Sequence, residues 1–389
     1  MAVFDQSVRN LMKQYGIPGG AVAVVRDGKL FYARGFGYAD VENKTPVKPD
    51  ALFRLASVSK TLTSAAIMKL VDEGKLAFDD RVAPIIADLM PAPGATVDPR
   101  WDHITIRNLL NHTGGWDREK PNGGFDPIDR SWIAADAVGA PRPASSETLV
   151  RYMKGMPIDF NPGDKFAYSN FGYIILGRVI ERLSGMPYPE YVRTRVLQPV
   201  GANRTKQGKS HFADALPDEV RYYFPGGAGG LGGPVGPSIF PGEPPVPFNY
   251  GGYYFEVGDA SGAWVSSTID LLRFVNGVDG RASPPDILSP ELVAAMITPG
   301  PLVCPDGSCY YAAGWNVHPL PGGDATWWHG GDLPSTKAVL VRSSTGISWV
   351  ALFNTSAPNS FIGELEAALW QSLNGMGAFP TQDLFSTFP

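Results

Sequence analysis

Cysteine is almost absent from this chain of 389 residues: Cys304 and Cys309 are the only two. A scaffold built on disulfides is therefore excluded, and the core must come from apolar burial. Histidine is scarce too. His103, His112, His211, His318 and His329 are the whole set, and none stands in an H-x-x-x-H or Cys/His spacing, so no metal site is expected. No motif for a cofactor survives inspection either. Charged residues make up 18% of the chain with a net charge of −5. No basic stripe is visible, so nucleic acid is not an expected partner. No apolar run approaches the ~18 residues of a membrane span. The start, Met1-Ala2-Val3-Phe4-Asp5-Gln6, lacks the charged-then-apolar pattern of a secretion signal. That reading leaves two compartments open: cytoplasmic, or exported with a signal removed. The oligomeric state is equally open.

What is present is an ordinary globular balance, 44% hydrophobic, which excludes a disordered or fibrous protein. The length suits two or three domains, or one large α/β body. The two cysteines bracket Pro305-Asp306-Gly307-Ser308. Asp-Gly is a turn signal, so they should face each other across a tight hairpin. A short-loop disulfide and two reduced surface thiols both fit.

Both ends of the chain carry the same pair of signals. Phe4, Val8, Leu11, Met12 and Tyr15 share one helical face, with Gly16 as a stop. Ala21–Val25 and Leu30–Ala33 then bracket Asp27-Gly28, a strong hairpin signal. Near the other end, Ala338–Val341 and Ile347–Leu352 bracket Ser344-Thr345-Gly346. A helix is predicted over 360–373, with Phe361, Leu365, Leu369 and Leu373 on one stripe. One antiparallel sheet built from both ends and covered by the terminal helices is the economical assembly. Between them, 57–73, 171–184, 187–198 and 289–298 read as helices. Residues 225–252 are mostly glycine and proline and read as a long loop. Its flanking aromatics, Tyr222, Tyr223, Phe224, Phe248 and Tyr250, suggest that it packs back onto the body and walls a pocket. The fold class expected is thus α+β: an antiparallel sheet flanked by N- and C-terminal helices, from residues 1–78 and 255–389, with an inserted, mostly helical domain over 79–254.

Several motifs fail. Gly227-Ala228-Gly229-Gly230-Leu231-Gly232 matches G-x-G-x-x-G, but the prolines that follow cannot open the helix that a dinucleotide site needs. There is no G-x-S-x-G, no Walker A and no H-E-x-x-H.

One motif survives. Ser57-Val58-Ser59-Lys60 is an S-x-x-K at the start of an apolar helix. That spacing puts the serine at a helix N-terminus and the lysine one turn later on the same side. A serine hydroxyl is a poor nucleophile until a base takes its proton, and a lysine with a lowered pKa can be that base. On its own the motif reads as well as an N-cap serine beside a surface lysine. Two further signals stand with it. Tyr168-Ser169-Asn170 precedes a helix, where a tyrosine can pass protons and an asparagine can hold both a lysine and a carbonyl. His329-Gly330-Gly331-Asp332 precedes the C-terminal hairpin, and paired glycines let a substrate backbone approach a strand.

In this order and at this wide spacing, Ser57-x-x-Lys60, Tyr168-x-Asn170 and His329-Gly330-Gly331 resemble the serine-reactive penicillin-binding-protein and class C β-lactamase superfamily, most of all its family VIII carboxylesterases. Leu109-Leu110-Asn111-His112-Thr113-Gly114-Gly115 is similar to that family's helix-ending signature. The resemblance implies a β-lactamase/transpeptidase-like fold with the site between sheet and helices. It implies Ser57 as the nucleophile that becomes acylated, and Lys60 and Tyr168 sharing the base role. It further implies that Asn170 orients Lys60 and the substrate, and that backbone N–H groups of Ser57 and Asp332 hold the oxyanion. His329 stands where β-lactamases carry the lysine of Lys-Thr-Gly. A mostly neutral imidazole there should weaken binding of carboxylate-bearing β-lactams. His112 reads as a buried, hydrogen-bonded histidine. The expected activity is a carboxylesterase for short acyl esters, acting on a small-molecule ester or amide without a cofactor. The alternatives are a D-amino-acid peptidase or DD-carboxypeptidase, a weak β-lactamase, or a ligand-binding relic without turnover.

Overall fold

The computed structural model describes residues 1–121, 123–227 and 230–389. Its backbone is an eight-stranded, wholly antiparallel sheet. In chain order the strands are β1 (Gly19–Arg26), β2 (Lys29–Asp40), β3 (Thr45–Pro46), β4 (Tyr310–Ala312), β5 (Trp315–Pro319), β6 (Ala325–Leu333), β7 (Thr336–Arg342) and β8 (Ile347–Phe353). The spatial order is β3-β2-β1-β8-β7-β6-β5-β4, so β1 from the start of the chain pairs with β8 from its end. The first hairpin turns at Asp27 and Gly28, both at positive φ (48° and 80°), which is the geometry a two-residue Asp-Gly turn supplies.

The central strands are buried on both faces, so they read as unbroken apolar runs rather than alternations. On one face Val22, Val24, Val339, Val341 and Trp349 meet the terminal helices α1 (Ala2–Tyr15) and α4 (Asn359–Asn374) through Phe4, Val8, Met12, Phe361, Leu365 and Leu369. On the other face Ala21, Ala23, Val25, Leu340, Val350 and Leu352 join the main core. Helix α2 (Ser59–Asp72) runs through that core and is buried all round, polar residues included. From Ser59 to Met68 every residue is buried, so this stretch has no polar face. Helix α3 (Asn170–Ser184) packs beside it and ends at Gly185 in the left-handed conformation.

Among the described residues, three helices of eight or more residues escape the sequence reading: Ser131–Val138, Ser146–Lys154 and Thr268–Asn276. Two carried legible caps, since the Ser145 and Ser267 hydroxyls accept from Thr148 and Asp270 N–H. The segment 225–252 contains a two-residue β-pair, Val235–Gly236 with Val246–Pro247. It packs back onto the body through Tyr250, whose hydroxyl accepts from Tyr222 N–H, and through the Asn249 carbonyl, which accepts from Arg54. Ala228 and Gly229, within the rejected G-x-G-x-x-G match, lie outside the described residues. Cys304 and Cys309 are bonded, which resolves the pair left open by the sequence. Among the described residues no helix is long and apolar enough to cross a membrane, and no group of three or more His, Cys, Asp or Glu is placed to hold a metal.

Candidate active site

Ser57 sits in a tight turn. Ala56–Val58 form a 3-10 turn that runs into α2, with Ala56 in the left-handed region at φ 47°. A non-glycine residue held there is strained, and such strain clusters at functional turns. The turn is pressed by β6: a Cβ on Gly331 would lie 2.3 Å from the Leu55 carbonyl oxygen and 3.2 Å from Ala56 Cβ. Gly331 is therefore the close-approach glycine. It faces the turn, while Gly330 faces the cleft.

Lys60 is fully buried, and its Nζ lies 3.2 Å from Ser57 Oγ, 2.7 Å from Asn170 Oδ1 and 2.7 Å from the Ser261 carbonyl oxygen. The amide orientation of Asn170 is determined by its other end, because Nδ2 sits 2.6 Å from Asp126 Oδ2, which accepts only. Both Asn170 Oδ1 and the Ser261 carbonyl are likewise acceptors. Burial drives the Lys60 pKa well below 10.5; Asp126 opposes that and Arg118 adds to it. In the neutral amine the two N–H groups go to Asn170 and Ser261, and the one lone pair is left facing Ser57 Oγ.

Tyr168 stands across the cleft. Its ring centroid lies 4.9 Å from Lys60 Nζ and 5.0 Å from the Arg118 guanidinium. Burial raises its pKa above the ordinary tyrosine value, opposed by the nearby Ser57 hydroxyl and by Arg118. The Tyr168 hydroxyl itself falls outside hydrogen-bond geometry with Ser57, a looseness often seen before substrate tightens such a site.

His329 lies on β6, 3% exposed. Its Nδ1 is 2.6 Å from the Gly330 carbonyl, so that nitrogen carries the hydrogen, and Nε2 accepts from the Tyr311 hydroxyl at 3.0 Å. Burial first, then the Lys60 charge, pushes its pKa down to about 3, so it is neutral at pH 7. The cleft still has fixed positive charge. Arg118 and Lys337 line it with Ser57, Tyr168, Asn170, His329, Gly330 and Asp332, in a space of about 600 Å³. Lys337 is bonded to Asp332 Oδ2 at 2.8 Å and to Asn359 Oδ1 at 2.7 Å. These cations lie outside the third motif, whose own position holds the neutral His329.

The structure thus brings Ser57, Lys60, Tyr168, Asn170, His329, Gly330 and Asp332 to one place. Sequence reasoning missed Asp126, Arg118, Ser261, Tyr311 and Lys337. Asp126-Pro127 carried a signal, since Asp before Pro is a helix-start pattern and Asp126 does cap the turn at Pro127–Arg130. His112 is buried and accepts from Ser169 N–H at 3.1 Å, as expected, but its ring also packs 4.2 Å from Tyr168 and 4.6 Å from Tyr311. It forms the floor under the tyrosine. The loop 225–252 was expected to wall the cleft. None of its described residues lines either space that meets Ser57; the stretch just after it, Tyr253–Gly262, does.

An antiparallel sheet covered by helices, with a serine turn, a buried lysine and a tyrosine brought together between them, is the arrangement of the class of penicillin-binding proteins and β-lactamases. The Beta-lactamase family model matches residues 4–373, and the chain belongs to that family. The chain is 30% identical over 205 residues to penicillin-binding protein 4* of Bacillus subtilis, a match that covers 52% of this chain and 40% of that protein. It is 34% identical over 200 residues to the esterase EstB of Burkholderia gladioli, covering 51% of this chain and 48% of that protein. Each match spans about half or less of these curated relatives. Among solved structures, the octameric penicillin-binding protein homologue from Pyrococcus abyssi superposes with a TM-score of 0.73 at 26% identity, covering 95% of this chain and 77% of that one.

Proposed function

We propose that the chain is a serine hydrolase working through an acyl-enzyme on Ser57, and that it is a carboxylesterase for short acyl esters. The observation that carries this reading is the buried Lys60 Nζ, 3.2 Å from Ser57 Oγ and 2.7 Å from each of two fixed acceptors, so that in the neutral amine the lone pair is left for the serine. In the first step Ser57 Oγ bonds to the ester carbonyl carbon and its proton passes to Lys60. The backbone N–H groups of Ser57 and Asp332 would hold the oxyanion. As the C–O bond to the alcohol breaks, Tyr168 gives the leaving oxygen a proton, recovered from Lys60. Water then attacks the acyl-enzyme by the same proton route, releasing the acid and restoring Ser57.

The esterase EstB relative and the neutral His329 favour esters over carboxylate-bearing β-lactams. A peptidase or weak β-lactamase reading draws its support from Arg118 and Lys337, which could meet a carboxylate in the same cleft. A ligand-binding relic would have no use for a desolvated amine beside a serine. Labelling with a fluorophosphonate should add its mass to Ser57 at neutral pH. In a panel of p-nitrophenyl esters, nitrocefin and D-alanyl amides, the esters should turn over fastest. Faster nitrocefin or amide turnover would overturn the esterase reading, and an unlabelled Ser57 would remove the hydrolase reading itself.

A further inference from the structure

The Tyr168 hydroxyl is buried and, among the described residues, outside hydrogen-bond geometry with any partner, the nearby Ser57 included. On the reading given above, that hydroxyl must hand a proton to the leaving oxygen. Such a step is sensitive to a misplacement of about 1 Å. Nothing at the tip of the side chain places it, so its position has to come from the ring and from the backbone on either side. Arg118 lies over the ring, but its own side chain is 35% exposed. The remaining holds all belong to His112.

His112 follows the short helix Ile106–Leu110 and is 1% exposed. Its carbonyl accepts from Ala167 N–H at 2.9 Å, and its Nδ1 accepts from Ser169 N–H at 3.1 Å. These are the two neighbours of Tyr168 in the chain. Its ring lies against the Tyr168 ring, with centroids 4.2 Å apart. Burial first, then the Lys60 charge, keeps the imidazole neutral. Since Nδ1 accepts, the ring hydrogen sits on Nε2, which is buried without a partner. An apolar ring would fill the same space without that orphaned N–H, whose burial costs free energy. What the imidazole adds over such a ring is the acceptor at Nδ1.

The turn that carries His112 is itself fixed. His112 stands in the left-handed region at φ 56°, a conformation that a non-glycine residue keeps only where its surroundings impose it. The Leu110 carbonyl accepts from the Tyr173 hydroxyl of α3 at 2.9 Å, and Asn111 Oδ1 accepts from Ala313 N–H, just past β4, at 3.0 Å. The Thr113 carbonyl accepts from Gly163 N–H at 2.8 Å.

The geometry points to His112 as a positioning residue for proton delivery: it fixes Tyr168 against the leaving group through the backbone on both sides and through its ring. It lines neither space that meets Ser57, so it acts through the tyrosine and not on the substrate. The inference rests on the proposed role of Tyr168 as the leaving-group acid.

Ethyl and p-nitrophenyl butyrate test it, since they share an acyl group. The ethyl oxygen must be protonated as it leaves, whereas p-nitrophenolate departs as a stable anion. The ratio of their kcat/KM values therefore reads proton delivery during acylation. Tyr168→Phe should lower the ethyl-to-p-nitrophenyl ratio steeply. His112→Phe keeps a ring but removes the acceptor, and should lower the ratio about ten- to hundredfold. His112→Asn restores an acceptor and suits a left-handed backbone, so its ratio should lie between those of the parent and His112→Phe. If His112→Phe does not fold, the ratio of His112→Asn should lie between those of the parent and Tyr168→Phe. Added to Tyr168→Phe, neither substitution should lower the ratio further. Fluorophosphonate labelling of Ser57 should persist in both His112 variants, because fluoride leaves without a proton. A parental ratio in folded His112→Phe, or in His112→Asn where it alone folds, overturns the proposal. So does a drop of the same size in the Tyr168→Phe background, which would make His112 a general structural support. If Tyr168→Phe itself keeps the parental ratio, the acid assignment falls and the proposal with it. If the parent's Ser57 is not labelled, the hydrolase reading falls first.

Discussion

Burial of Lys60 sets both its charge and its direction. Desolvation disfavours the ammonium, and in the neutral amine two fixed acceptors take the N–H groups, so on the proposed mechanism its lone pair points at Ser57 Oγ. Activity should therefore rise with pH through a Lys60 pKa far below 10.5 and level off above it, since the protonated form below that pKa has no lone pair. Ser57→Ala and Lys60→Ala should each cost several orders of magnitude in kcat, and the double variant should be little worse than either, because the two act as one unit. Losses that multiply would refute the unit. Lys60→Arg should not rescue, since a guanidinium stays protonated. A second residue-scale consequence concerns Tyr311. Its hydroxyl donates to His329 Nε2 in a buried setting. Tyr311→Phe should leave that nitrogen unpaired and lower stability by about 1–3 kcal/mol, read from the urea midpoint; an unshifted midpoint would show that the bond contributes nothing.

At the scale of elements, the site depends on how closely β6 approaches the turn before α2. Two adjacent glycines of β6 separate cleanly in this respect. A Cβ at Gly331 meets the Leu55 carbonyl oxygen at 2.3 Å, whereas at Gly330 the nearest atom is the Ala338 carbonyl oxygen at 4.0 Å. Gly331→Ala should push strand and turn apart, costing about 1–3 kcal/mol as overpacking does and slowing fluorophosphonate labelling of Ser57. Gly330→Ala should leave the melting temperature within a degree or two. Equal stability losses in the two variants would mean that the strand gives way and the close approach is not a constraint. The sequence signal for both was the same Gly-Gly pair. Only the pairing of β6 with β7 on one edge and its contact with the turn distinguish them.

For the whole molecule, one acid records a cost of folding far from the candidate site. Asp286 accepts from Gly280 N–H through Oδ2, while its Oδ1 is buried without a partner. Burial first, then repulsion from Asp279, pushes its pKa up to about 6. The unfolded value is about 3.9, so between those pH values the native state binds a proton that the unfolded state lacks. Stability should fall as pH rises through that window and stay reduced above it. Asp286→Asn should raise the melting temperature above pH 6, with the gain vanishing near pH 4. A gain that is the same at both ends would exclude the titration as its cause.

Much of this was legible from residues alone, because local physics determines it. The terminal helices and their apolar stripes, the Asp27-Gly28 hairpin and the serine–lysine spacing are properties of short windows, where backbone preference and side-chain period act without help from distant segments. The order of the motifs was enough to indicate the family. Other features needed the tertiary structure. The number of strands, the meeting of β1 with β8 and the burial of α2 from Ser59 to Met68 depend on pieces far apart in the chain, whereas the disulfide closes a turn of neighbouring residues whose signal fitted bonded and reduced cysteines alike. So does the chemistry of the candidate site. Lys60 gains its lowered pKa from being enclosed, its direction from Ser261, and its neighbour Asn170 its orientation from Asp126. The charge of the cleft comes from Arg118 and Lys337, which no local motif marked. A window of sequence states which groups are available, but desolvation and hydrogen-bond partners are supplied by whatever the fold packs around them, and those decide which proton each group holds.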